Sequence, residues 1–106
     1  MKKWVEAHLE WIPYTNGGRR VVVPNDTTRY CPRIVFTDYQ TEGAWSADIQ
    51  VRTVESISSE KRTSKIDLSY LVDNAPFELL RPDASFELYE GARLVATGKV
   101  IKEKSN

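Results

Sequence analysis

Few residues in this chain could do chemistry, and they are spread out. His8 is the only histidine, and it alternates with Glu6 and Glu10. An imidazole between carboxylates could serve as a proton shuttle or as part of a metal site. No further His or Cys ligand completes such a site, so a solvated strand residue is the expected role. Cys31 is the only cysteine, which excludes an intramolecular disulfide. A thiol nucleophile needs a depressed pKa and an adjacent base. Cys31 instead precedes Pro32 at the entry to a strand, the setting of a packed or idle thiol. Serines gather in residues 56–64 with no positioned base, which implies solvation rather than hydrolysis. The expectation is a non-enzymatic protein with no cofactor, no metal and no small-molecule substrate.

Residues suited to binding are better represented. Arg19 and Arg20 follow the turn signal Asn16, Gly17, Gly18, and Glu90, Gly91, Ala92 and Arg93 form a second turn. Arginines on rigid turns can grip phosphates bidentately, and Lys61, Arg62 and Lys65 could assist. The plainer reading is solvated turn charge. The tryptophans and tyrosines could stack on bases. Packing is the simpler account, with Trp11 and Trp45 filling a core and Tyr14, Tyr30 and Tyr39 lining its rims. Trp4 has the opposite parity to Val5 and Leu9, and an exposed aromatic there would suit a partner interface. The candidate partner- or RNA-binding residues are therefore Arg19, Arg20, Glu90, Gly91, Arg93 and Trp4.

These residues need a scaffold, and the pattern supplies one. The 106 residues suffice for one domain with a modest core. Acidic and basic residues are equal at fifteen each, which removes the long-range positive potential that general nucleic-acid or anionic-membrane binders use. Residues 1–35 still hold a local surplus of three positive charges, enough for a basic patch. The N-terminal stretch has no apolar signal region, because Glu6, His8 and Glu10 interrupt it, and no apolar run is long enough to span a membrane. A soluble, cytoplasmic protein is expected.

Residues 4–12 alternate as a half-buried strand, and residues 19–23 are expected to return as its hairpin partner. Residues 32–38 form a further strand, with a turn around Glu42 and Gly43 after it. Residues 45–53 and 66–73 alternate again, and the polar residues 56–64 between them read as a mobile loop. Residues 77–80 fit a short strand or a helical turn. Residues 86–101 read as two strands joined at Gly91, where a hairpin turn needs positive φ. Gly98 lies inside the second of these, where glycine marks a bulge or a close backbone approach. No segment keeps a helical period. Many short strands with turns between them predict an all-β fold, and closure into a small antiparallel barrel of about six strands hides the edges.

Three landmarks add a family. The first is the strand from Trp4 to Trp11 with the Gly17, Gly18, Arg19 turn behind it. The second is Tyr30, Cys31, Pro32, Arg33, Ile34, Val35 and Phe36. The third is the closing hairpin from Phe86 through Glu90, Gly91, Ala92 and Arg93 to Gly98 and Val100. Together they resemble the C-terminal β-barrel, the third domain, of translation elongation factor Tu. Arg20 stands where that family has a histidine, Cys31 where it has an arginine, and Ala92 where it has a glycine. The chain has no glycine-rich phosphate loop ending in Gly-Lys-Ser/Thr, so no GTPase activity is expected. The resemblance implies a stand-alone relative of the third domain. In the full factor that domain helps hold the T stem of aminoacyl-tRNA, packs on the GTPase domain and meets the exchange factor. The leading expectation is an interaction module acting on a protein partner. The alternative is a reader of structured RNA such as a tRNA stem.

Overall fold

The computed structural model describes residues 2–21, 23–24, 26, 29–38, 45–58 and 60–104. The turn at Glu42 and Gly43, the rim role of Tyr39 and part of the strand expected at 19–23 lie outside the described residues. The strands are β1 (Val5–Trp11), β2 (Arg33–Phe36), β3 (Trp45–Val51), β4 (Glu55–Ser56), β5 (Arg62–Tyr70), β6 (Ser85–Glu90) and β7 (Arg93–Glu103). All named pairings are antiparallel, in the order β1-β7-β6-β2-β3-β5, and β5 returns to β1 to close a six-stranded barrel. The short β4 joins β5 beyond the end of its pairing with β3.

Closure explains why the expected hairpin between residues 4–12 and 19–23 does not form. β5 and β7 occupy both edges of β1 along its whole length, from Val5 to Trp11. No edge is left for residues 19–23, whose described members are irregular chain, with Val23 buried in the core. The turn before them is a 3-10 turn over Tyr14–Asn16, stopped by Gly17 at φ 93°. Residues 77–79 are likewise a 3-10 turn. The polar residues 56–64 are not one loop: they begin in β4, turn with the Ile57 N–H on the Lys61 carbonyl at 2.9 Å, and end in β5.

Inward side chains of successive strands make one core, with Val5, Leu9, Ile49, Ile66, Leu68, Phe86, Leu88, Val95 and Val100 fully enclosed. Val95 and Ala96 are both buried, against strict alternation, because a bulge opposite Leu88 and Tyr89 turns two successive β7 residues inward. A second bulge falls opposite Glu6 and Ala7 and leaves Ile101 unpaired on the outside. The closing hairpin forms at the expected place, with Gly91 at φ 59°. Ala92 does not take positive φ, so the loop needs only one glycine. Gly98 is a close-approach glycine: a Cβ there would lie 2.4 Å from Phe86 Cζ and 2.7 Å from Leu9 Cδ2. Trp11 is buried and donates its indole N–H to Ser64 Oγ at 2.8 Å, and Trp45 packs on the core against Tyr70.

Candidate interaction surface

The end of the barrel at Trp11 gathers most of the candidates. The chain leaving β1 turns over residues 14–16 and brings Arg19 across to the tip of the β6–β7 hairpin, where its guanidinium pairs with the Glu90 carboxylate. Tyr30 donates its hydroxyl to the same Glu90 oxygen. Arg19 also lies over the Tyr30 ring, 5.4 Å from its centroid, and donates from Nε to the Val21 carbonyl at 2.9 Å. Tyr30 in turn packs against Trp11, with ring centroids 6.1 Å apart. Burial, helped by the bond to Glu90, pushes the Tyr30 hydroxyl well above the ordinary tyrosine range, so it remains a donor. One carboxylate thus ties three distant parts of the chain together.

Arg19 and Glu90 were both candidates, and they are each other's partners. Gly91 shapes the tip, and Arg93, opposite Glu90 in the ladder, is exposed. Arg20 is exposed at a cleft of about 190 Å³ that it shares with Pro13, Tyr14, Glu60 and Arg62. Tyr14 stands 59% exposed there, and Val21 beyond it is 65% exposed. Trp4 does not belong to this group. It precedes the opposite end of β1, about 23 Å along the strand from Trp11 at ~3.3 Å per residue. Nor is it the exposed aromatic that alternation suggests: it is half-buried, with Lys2 Nζ 5.3 Å from its ring centroid and its carbonyl accepting the Lys104 N–H at 3.0 Å.

Sequence reading passed over two buried carboxylates. Asp48 and Asp67 point away from the barrel interior, as alternation requires, yet each is only 3% exposed. Lys2 Nζ at 3.0 Å and Arg29 at 3.3 Å cover Asp48. Arg52 Nε at 2.6 Å and Lys104 Nζ at 2.6 Å cover Asp67. Long cationic side chains lie over short acidic ones, and strand parity carries no signal of that. The four cations, Lys2, Arg29, Arg52 and Lys104, stand just outside the strands, so no alternation pattern marks them.

His8 is exposed on the outer wall, as expected for a solvated strand residue. Its cross-strand neighbours are Lys65 on β5 and Lys99 on β7. Cys31 is exposed; partial desolvation and the nearby Asp48 charge push its thiol up, away from the thiolate a nucleophile needs. Among the described residues no group of three His, Cys, Asp or Glu side chains could hold a metal ion, and no helix is long and apolar enough to cross a membrane. No protein-family model and no curated protein matches the chain.

Proposed function

We propose that this chain is a non-enzymatic binding module, a cytoplasmic relative of the third domain of elongation factor Tu, acting through protein contact at the Trp11 end of its barrel. One observation carries the choice of partner. Arg19, the cation best placed on the rim to grip a phosphate, is held by Glu90 and Tyr30, while Tyr14 and Val21 beside it stand exposed. An exposed aromatic on a pre-organised rim is the type of feature that anchors protein partners. The raised thiol of Cys31 and the lysines facing His8 support a role without catalysis.

A second reading, contact with a structured RNA such as a tRNA stem, draws on Arg20, Arg62 and Arg93, which are exposed and carry no ion pair among the described residues. Affinity purification from the native cell, with and without nuclease, separates the two. The protein reading expects a specific protein that survives nuclease treatment and is lost with Tyr14→Ala. Recovery of RNA alone, falling steeply with salt and with Arg20→Ala, would replace it with the RNA reading.

A further inference from the structure

A groove of about 710 Å³ runs along the outer wall of the barrel across β5, β1 and β7, away from the rim. Its chemistry is set by the second bulge of β7, which turns Ile101 out to 54% exposure beside Glu6 and His8. Around this apolar side chain the charges do not balance. Arg52 and Lys104 share the single carboxylate of Asp67. Glu6 is engaged by Lys102 at 3.6 Å. Lys65 has no ion pair among the described residues, and it is exposed.

The register adds a second observation. Lys65, His8 and Lys99 stand side by side on three neighbouring strands, all on the outer face. Lys99 has only a 4.0 Å approach to Asp83, whose side chain is 90% exposed. Lys65 and Lys99 flank His8 from either side, two strands apart at roughly 10 Å. Two lysines on this face, one without an ion pair among the described residues and one only weakly paired, favour an anionic partner.

Resting on the protein-binding reading, we infer that this groove takes an acidic, apolar-bearing segment of a protein partner, with a carboxylate against Lys65 and an apolar side chain against Ile101. The alternation of charge favours a peptide over a nucleic acid. A phosphate backbone places a charge at every nucleotide and would set some of them against Glu6. A peptide strand spaces its carboxylates and puts apolar groups between them.

The test uses the full chain and fluorescence anisotropy with three labelled probes: a peptide of alternating glutamate and leucine, its lysine–leucine counterpart, and an RNA duplex. The expected result is binding of the glutamate–leucine peptide alone, weakening with salt. Lys65→Glu and Ile101→Asp, both at exposed side chains, should each weaken it tenfold or more, while Asn74→Glu, in the exposed turn after β5, leaves it unchanged. No binding of that peptide, equal binding of the lysine peptide, indifference to Lys65→Glu, or preference for the RNA would each overturn the inference. The two readings fail separately in the purification from native cells. A specific protein retained by Lys65→Glu sinks the groove and leaves protein binding standing. No specific protein on the wild-type chain sinks protein binding itself.

Discussion

Asp67 and Glu90 are both carboxylates that receive two donors from distant parts of the chain, and they differ in depth. The Asp67 side chain is 5% exposed and is met by two cations, Arg52 and Lys104. The Glu90 side chain is 35% exposed and is met by one cation and one hydroxyl. A charge taken out of water needs full compensation, whereas one at the surface keeps water as a substitute partner. Asp67 therefore works as a strut in the wall, and Glu90 as a clip that sets the shape of the rim.

Removing the cations should expose the contrast most sharply. Arg52→Ala combined with Lys104→Ala removes both cations and opens Asp67 to water, so urea denaturation should show a loss of about 1.5–3 kcal/mol rather than the full penalty of a buried charge. Adding Asp67→Asn to that pair should recover a substantial part of it. A loss no larger than that of a surface pair would place Asp67 and Glu90 in one class. Glu90→Ala should cost less, about 1 kcal/mol, because solvent screens the pair and hydrates Arg19 once it is released. Its clearer readout is a change in the amide spectrum around Arg19 and Tyr30 with the core signals unmoved.

Alkaline pH probes the clip from the other partner. The folded state holds the Tyr30 proton more tightly than the unfolded chain does. Above about pH 10 the unfolded chain binds fewer protons, so stability is full below that pH and falls as pH rises beyond it. Tyr30→Phe should make the decline shallower. It should not abolish it, since burial raises Tyr70 in the same sense. The smallest effect concerns that second tyrosine. The buried Tyr70 hydroxyl has no hydrogen-bond partner among the described residues. Tyr70→Phe should leave stability within about 0.5 kcal/mol of wild type or raise it, because it removes an unsatisfied group. A larger loss in a thermal melt would show that this hydroxyl is held after all.

The barrel was legible where local chemistry decides structure. Strand β1 follows from strict alternation, and the closing hairpin follows from Gly91 and Gly98, whose roles in the fold are those that turn geometry and packing demand. What local pattern cannot show is who pairs with whom. Residues 19–23 have strand composition and follow a turn, but the edges of β1 are taken by strands from the far half of the chain. Parity also places a side chain inside or outside the barrel and says nothing of what lies over it. That is why Asp48 and Asp67 passed as surface residues. The candidate site divides along the same line. Arg19 and Glu90 were each visible as turn residues, but their pairing, which takes Arg19 out of the pool of free cations, is a tertiary fact.

The position of β1 between β5 and β7 has a consequence for the protein during its synthesis. Strand β1 has no neighbour until much later sequence follows: the Trp11 indole waits for Ser64, 53 residues on. Until then its apolar face, Val5, Ala7, Leu9 and Trp11, has no barrel to enter. Contacts of such long sequence separation form slowly, and unpaired strands with an apolar face are prone to associate. The charged face of the same strand, Glu6, His8 and Glu10, is then its protection: it keeps the waiting strand in solution before it becomes the outer wall.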